Sequence, residues 1–340
     1  MNTTQVAVDI AKSVFQVAVS HDPGQVHEQH RLSRARFQRF FANYPPAEVL
    51  MEACGSAHHW GRELQAMGHQ VSLLPPSDVS RYRDGNKTDR ADAKALLEAS
   101  RNKKIDPVPI KSTDQQAVTA LHRLRSQYLA TRTARINAVR GLMREFGVVV
   151  PLGAKNVVPR VRAALAEDVV PTFLRLAFEE ALDEIGQLQA RADAIRSQLE
   201  QLAKLMPDAQ RLMTVPGIGV LTATALVAFV GDPHRFRSGR HFAAYLGLTP
   251  REHSSGTRRR LGRISKRGNS YLRMLLIHGA RSVLWSAKRC AELDDLRAWA
   301  LEVQERRGHN VAAVALANRL ARVTWRVWRD QRPFDRRIAA

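Results

Sequence analysis

The chain has 340 residues, of which 53 are Lys or Arg and 32 are Asp or Glu, so its formal net charge is +21. A hydrophobic fraction of 44% is enough to build cores and argues against a wholly disordered chain. The chain has no apolar run of the roughly 18 residues that span a membrane, no signal-peptide pattern, and two distant cysteines, Cys54 and Cys290, that suggest neither a zinc site nor a secreted disulfide set. We therefore expect a cytoplasmic protein without a membrane partner.

The first hundred residues follow an α/β pattern. The β-rich runs at 5–10 and 13–20 predict a hairpin, and a more polar third strand is predicted at 26–32. Two further strands are predicted to alternate with three helices, in the order 34–43 (helix), 48–52 (strand), 57–67 (helix), 70–74 (strand) and 89–101 (helix). This order predicts an α/β domain over residues 1–112, with one mixed sheet flanked by helices on both faces.

The middle of the chain, residues 113–207, is predicted to form long helices at 114–146 and 172–205. Apolar residues in the second helix alternate between spacings of three and four, which is a heptad pattern typical of a coiled coil. The partner helix is either the first long helix or a second protomer. The heptad positions are Phe178, Ala181, Ile185, Leu188, Ala192, Ile195, Leu199 and Leu202.

Residues 208–340 predict a third domain that is mainly α-helical. A glycine-rich turn at 215–219 precedes an apolar helix at 221–230. A short element at 242–246 and a basic loop at 251–267 follow. The remaining helices are predicted near 271–285, 296–304 and 311–328.

The positive charge is concentrated in this last part of the chain. Residues 1–100 are neutral overall, residues 101–150 carry +7, residues 151–200 carry −2, and residues 201–340 carry +16. A basic half beside a neutral half is typical of proteins that bind a polyanion, most often nucleic acid. A basic surface that only maintains solubility is the alternative, but it does not require this segregation.

Four carboxylates are candidate catalytic residues. Asp9 follows three apolar residues in the first strand, and Glu52 ends the strand at 48–52. Asp89 and Asp92 are three residues apart, on one face of a helix. Converging carboxylates bind hard divalent cations, and two such ions clamp the attacking and leaving oxygens of a phosphodiester. The ordinary alternatives are that Asp89 caps its helix and that Glu52 pairs with an arginine.

Two segments of the basic domain are candidates for phosphate binding. Gly217 and Gly219 form a turn that opens a helix, which either presents backbone N–H groups to a phosphate or is a plain turn. In the basic loop, Ser254 and Ser255 are either candidate nucleophiles among arginines or turn residues. The basic residues that we expect to contact nucleic acid are Arg251, Arg258, Arg259, Arg260, Arg263, Lys266, Arg267 and Arg273.

Six segments together carry a resemblance to a known family: VAVDIAKSVFQVAV, VLMEACGS, NKTDRADAKAL, TVPGIG, FAAYLGLTPREHSSG and ISKRGNSYLR. With these, nearly the whole chain resembles the DEDD transposases of bacterial insertion sequences (insertion-sequence family one-ten and its close subgroup), which are described as bridge-RNA-guided recombinases. The resemblance implies a RuvC-like N-terminal domain with an RNase H fold and a C-terminal transposase domain with a catalytic serine. The turn that contains Gly217 and Gly219 is itself similar to a helix-hairpin-helix turn, which binds the DNA backbone without reading sequence.

The resemblance also implies roles for individual residues. Asp9, Glu52, Asp89 and Asp92 match the family's four acidic positions and would hold Mg²⁺, two ions per site. Ser255 matches the serine before the glycine of an S-G pair and would form a covalent phosphoserine bond with DNA. Ser254 stands beside it as the alternative. The expected partners are donor and target DNA, a structured guide RNA, and further copies of the chain as a dimer that assembles to a tetramer. When bound to DNA, the protein would be associated with the nucleoid.

Two other functions account for parts of this pattern. In a metal-dependent nuclease or Holliday-junction resolvase, the carboxylates would activate a water molecule and no protein–DNA bond would form. A non-enzymatic nucleic-acid scaffold would use the basic half and the coiled coil, but it leaves the four acidic residues without a role.

Overall fold

The computed structural model describes residues 4–22, 25–83, 89–290 and 292–335, with the side chains of residues 89 and 90 outside the description. Contacts divide the chain into two units, residues 1–114 and residues 115–340. The finer division into three domains, with a boundary at 207, stays a prediction.

The first unit is built on a five-stranded sheet with the strand order β3-β2-β1-β4-β5. Strands β1, β2 and β3 are antiparallel neighbours, whereas β4 runs parallel to β1 and β5 runs parallel to β4. The predicted mixed sheet is therefore confirmed. The strands are β1 (Gln5–Ile10), β2 (Val14–Ser20), β3 (Glu28–Ser33), β4 (Glu48–Glu52) and β5 (Gln70–Leu74).

Helices cover both faces of this sheet, as predicted. Alternate residues of β1 point to opposite faces, so Val6 and Val8 join one hydrophobic core while Ala7 joins another. The first core includes Phe37 and Trp60, whose rings meet edge to face with centroids 5.0 Å apart. The helices of this unit are α1 (Arg34–Asn43), α2 (Ala57–Ala66), α3 (Pro76–Val79) and α4 (Asp89–Ser100).

The second unit starts with three helices, α5 (Thr113–Glu145), α6 (Val157–Ala166) and α7 (Arg175–Lys204). The two long helices were predicted, whereas α6 was not. Six of the eight predicted heptad residues of α7 are buried. The other two, Ala181 and Leu202, are half-buried, and the residues that follow them, Leu182 and Ala203, are buried instead. Helices α5, α6 and α7 share one hydrophobic core. A coiled coil between protomers stays a prediction.

The described residues in the rest of the second unit form six helices and one hairpin. The sequence predicted a loop at 251–267, but two antiparallel strands form there, β6 (Pro250–Glu252) and β7 (Leu261–Ile264). We call residues 250–264 the basic hairpin. The helices are α8 (Pro207–Met213), α9 (Val220–Val230), α10 (Gly239–Tyr245), α11 (Ser270–Ala287), α12 (Asp295–Arg307) and α13 (His309–Arg329). Within the described ranges, no helix is both long and apolar enough to span a lipid bilayer.

The glycine-rich turn before α9 packs directly against the backbone of α11. A Cβ atom added to Gly217, which has a φ of +79°, would lie 2.7 Å from the carbonyl oxygen of Gly279. A Cβ atom added to Gly279 would lie 2.1 Å from the carbonyl oxygen of Gly217. This close packing is sufficient to explain why residue 217 is a glycine. It therefore favours the alternative that the residue belongs to a plain turn. Gly219 is exposed at the N-cap of α9, and its predicted phosphate contact stays a prediction.

We expect Gly279→Ala to lower the free energy of unfolding of the second unit by about 3 kcal/mol, because the added methyl group has no room against the backbone of Gly217. Denaturant titration followed by circular dichroism would measure the change. Gly186→Ala is the matched control: Gly186 lies within α7, and an added Cβ meets nothing within 4 Å. The control should be neutral or stabilising by up to about 1 kcal/mol. Equal stabilities of Gly279→Ala and the unchanged protein would contradict the close packing.

Candidate functional site

Two of the predicted catalytic carboxylates lie on neighbouring parallel strands. Strands β1 and β4 pair with Val8 opposite Met51, so Asp9 and Glu52 are the next residues of the two strands. Both residues are half-buried. Because parallel strands end at the same edge of a sheet, the register brings these two carboxylates to one edge, and their catalytic role stays a prediction.

The environment of Cys54 supports this placement of the two acids. Cys54 follows β4, and its thiol has a raised pKa because it is buried and because the negative charges of Glu52 and Asp9 lie near it. Two backbone hydrogen bonds, from Ser56 and Ala57, act in the opposite direction. The Cys54 thiol, in the loop after β4, therefore lies in the negative potential of both carboxylates.

The remaining two acidic residues belong to α4, which packs against β1 and β2. Asp92 is buried, and its carboxylate forms an ion pair with the guanidinium of Arg83. The charge of Asp92 is thus balanced within the chain. Asp89 is the first residue of α4, and its side chain lies outside the described part of the structure. Among the described side chains, no group of three His, Cys, Asp or Glu residues is placed to hold a metal ion, so the four-residue site stays a prediction.

The two candidate serines have different surroundings in the basic hairpin. The hydroxyl of Ser254 donates a hydrogen bond to Glu252 Oε1 at 2.7 Å and accepts one from the backbone N–H of Arg260 at 3.1 Å. The bond from Ser254, with the charge and hydrogen bond of Arg259, lowers the pKa of the exposed Glu252. Ser254 therefore holds the two strands of the hairpin together.

Ser255 lies at the end of the hairpin and is exposed. Its backbone N–H and carbonyl both bond to Arg258, at 3.2 and 3.1 Å, which closes a two-residue turn. Gly256, the first residue of that turn, has a φ of +54°, a conformation that favours glycine. Among the described residues, none makes a hydrogen bond with the Ser255 hydroxyl. An exposed hydroxyl between arginines is free to approach a phosphate.

The basic residues predicted to bind nucleic acid divide into two groups. Three of them also bond within the chain: Arg251 donates to the carbonyl of Ser265, Arg259 pairs with Glu252, and Arg273 donates to the carbonyls of Leu246 and Arg267, which flank the hairpin. The others present exposed side chains on the hairpin and just after it. These are Arg258, Arg260, Arg263, Lys266 and Arg267.

A buried series of hydrogen bonds at the start of α11 was not predicted from the sequence. Thr224 on α9 donates its hydroxyl proton to the carbonyl of Val220, so its oxygen accepts from Nε2 of His122, 3.0 Å away. The other ring nitrogen of His122, Nδ1, is 3.0 Å from the hydroxyl of Tyr271 and accepts its proton. These hydrogen bonds join α5, α9 and α11, and Tyr271 lies four residues after the basic loop at 251–267. An isolated histidine in an amphipathic helix carries no signal that distinguishes this role.

We expect the stability of the second unit to depend on pH through His122. Burial, and then the charge of Arg125, lowers the pKa of His122 from 6.5 to about 4. Between these values only the unfolded chain takes up the proton, so the folded state loses stability as the pH falls. The loss between pH 7 and pH 5 is about 2 kcal/mol. Denaturant titrations at the two pH values should show it in the unchanged protein but not in His122→Gln, and the same loss in both would contradict it.

Two protein-family models match the chain. The model DEDD_Tnp_IS110, described as a transposase, matches residues 6–147. The model described as "Transposase IS116/IS110/IS902 family" matches residues 209–294. The first match contains Asp9, Glu52 and Asp92, and the second contains the glycine-rich turn and the basic hairpin.

Similar proteins match along almost the whole chain. A protein of Pseudomonas aeruginosa named "Probable family 20 transposase" is 43% identical over 96% of both chains. The "Transposase for insertion sequence element IS1111A" of Coxiella burnetii is 39% identical over 96% of this chain and 90% of its own. The "Pilin gene-inverting protein" of Moraxella lacunata is 26% identical over 99% of both chains. The similarity therefore includes both units.

Proposed function

Because the chain belongs to the IS110 family of transposases, we propose that it cuts and exchanges DNA strands through a covalent bond to Ser255. The observation that carries this proposal is the exposed Ser255 hydroxyl, which has no hydrogen-bond partner among the described residues and lies in an arginine-rich hairpin. The hydroxyl of the neighbouring Ser254, in contrast, donates one hydrogen bond and accepts another.

The proposed reaction exchanges one phosphoester bond for another. Ser255 Oγ loses its proton and forms a bond to the phosphorus atom, the bond between that phosphorus and one deoxyribose oxygen breaks, and the released oxygen takes up a proton in place of the one that the serine lost. Attack by a hydroxyl of another DNA end reverses these changes and frees the serine. Exposed arginines such as Arg258, Arg260 and Arg263 stabilise the negative charge that develops on the phosphoryl oxygens.

The acidic residues of the first unit form the second part of the proposal. Asp9 and Glu52 provide the oxygen ligands that Mg²⁺ prefers, at the ends of adjacent strands, and Asp92 and Asp89 would complete the set. When bound, the metal would supply a positive charge that stabilises the attacked phosphate. The Arg83–Asp92 ion pair balances the buried charge of Asp92, so Arg83 would have to release Asp92 before it becomes a ligand.

The assembly is also part of the proposal. We expect the serine and the carboxylates that act on one phosphate to come from different protomers of a dimer that assembles to a tetramer on donor and target DNA. A structured guide RNA would select both DNA sequences by base pairing, while the protein contacts backbone and shape. The complex would work in the bacterial cytoplasm, at the nucleoid.

A suicide DNA substrate tests the covalent step. If the scissile phosphodiester carries sulfur in place of the bridging oxygen of the leaving group, the released thiol religates poorly and a serine adduct accumulates. Mass spectrometry of the digested protein should then show a nucleotide mass on the peptide that contains Ser255. Cleavage without an adduct would overturn the proposal and favour a nuclease that activates water.

Sequencing of co-purifying RNA tests the guide. The protein purified from cells that contain its whole genetic element should carry one enriched structured RNA encoded by that element. An RNA population without such enrichment would contradict RNA guidance while leaving the serine chemistry intact.

A further inference from the structure

A single exposed tryptophan lies on a basic face of α11. The residue is Trp285, with 60% of its surface exposed. The other tryptophans are buried or half-buried: Trp60, Trp299, Trp325 and Trp328. Leaving so large an apolar side chain in water gives up the stabilisation of its burial, and tryptophan is enriched at surfaces that bind a partner.

The surroundings of Trp285 carry positive charge. One face of its ring is covered by the guanidinium of Arg289, with 3.6 Å between Cζ and the ring centroid. Arg281, one turn before Trp285 on α11, and Lys288, the residue that follows the last residue of the helix, are both exposed. Helix α11 contains no acidic residue. The face therefore combines a flat aromatic ring with groups that attract phosphates.

We propose that Trp285 is a stacking platform for an unpaired base of a DNA strand. The guanidinium restrains the ring from one side, and the ring still exposes most of its surface, which leaves room for a second planar group. A base stacked on the ring would bring its flanking phosphates towards Arg281, Lys288 and Arg289. This combination of an aromatic ring and nearby cations is how proteins bind single strands without reading their sequence.

The positive charge of this face and the protein family both indicate which ligand binds at Trp285. A positively charged face favours a polyanion over an apolar protein surface. A family of transposases acts on DNA, and strand exchange exposes unpaired bases near the cut. The inference rests on this DNA-acting family and requires neither the serine adduct nor a guide RNA, so each can fail separately.

Binding to oligonucleotides tests the platform. Fluorescence anisotropy, without Mg²⁺ and at one fixed salt concentration, would compare a labelled twelve-residue thymidine strand with a strand of the same charge that lacks the bases. We expect Trp285→Ala to weaken binding of the thymidine strand roughly 5- to 100-fold. Binding of the abasic strand should change less than about twofold. Trp285→Phe, which keeps a smaller ring, should lie between the two.

Phe173→Ala is the matched control. Phe173 is 82% exposed in the same unit but lies before α7, outside the α11 face, so its loss should not change binding of either strand.

A strand with 5-iodouracil should also crosslink, under ultraviolet light, to the peptide that contains Trp285. Three results would overturn the inference: no effect of Trp285→Ala on the thymidine strand, an equal loss on the abasic strand, or a loss confined to the corresponding RNA strand. Thermal melting of both Trp285 variants establishes that they are folded.

Discussion

Replacing Ser255 with alanine is expected to abolish the covalent protein–DNA adduct and to reduce strand cleavage at least about 1,000-fold. The serine oxygen is the atom that forms the new bond to phosphorus, and alanine offers no substitute. DNA binding should persist, because the hydroxyl of Ser255 makes no hydrogen bond with any described residue and its backbone bonds to Arg258 remain. Gel analysis of the adduct and of the cut strand, beside a binding titration, would separate the two effects.

Ser254→Ala is the matched control for this experiment. It removes the hydroxyl that bonds to Glu252 and to the N–H of Arg260, so the hairpin loses two hydrogen bonds. We expect cleavage to fall by about tenfold or less, with the adduct still on Ser255. An adduct that survives Ser255→Ala and disappears with Ser254→Ala would assign the nucleophile to Ser254.

The sequence predicted the N-terminal sheet well because its signals are local. Val6 and Val8 alternate with Ala7, and the structure places them in two cores on opposite faces. Once two parallel strands are neighbours, the ends of both strands meet at one edge. The placement of Asp9 beside Glu52 follows from the pairing of β1 with β4, a strand order that was not predicted from the sequence.

The basic hairpin and helix α6 were not predictable from the same signals. Strands β6 and β7 are exposed along almost their whole length, so they lack the alternation of buried and exposed residues that marks a strand. Helix α6 follows a segment rich in glycine, proline and valine and itself contains Pro159, a composition that is unfavourable for a helix. Proline is tolerated there because it lies in the first turn, where the backbone N–H has no partner within the helix.

The finer features of the site depend on tertiary contacts. The sequence places Ser254 and Ser255 side by side, and their hydroxyls are distinguished only by the folded hairpin, where Glu252 and Arg260 engage one of them. The ion pair joins Asp92 on α4 to Arg83, which lies nine residues earlier and outside any helix or strand. Neither is encoded by residue spacing.

Neutralising either strand carboxylate, by Asp9→Asn or Glu52→Gln, is expected to lower Mg²⁺-dependent cleavage about 1,000-fold. The amides keep the shape of the side chains but lose the charge that attracts a cation. DNA binding without Mg²⁺ should be unchanged or tighter, because a negative charge that repels the phosphate is removed. Each variant should also bind Mn²⁺ more weakly, as measured by the electron paramagnetic resonance signal of the free ion.

Glu98→Gln separates a local effect from a general loss of negative charge in the same unit. Glu98 lies on α4 with Asp92 but forms a surface ion pair with Arg101 at 3.1 Å, so its loss should leave cleavage and Mn²⁺ binding unchanged. If both Asp9→Asn and Glu52→Gln cleave DNA within tenfold of the unchanged protein, the carboxylates take no part in the reaction. Loss of cleavage with unaltered Mn²⁺ binding would instead make them residues that position the DNA. The two results thus decide separately whether the pair acts in the reaction and whether it acts through a metal.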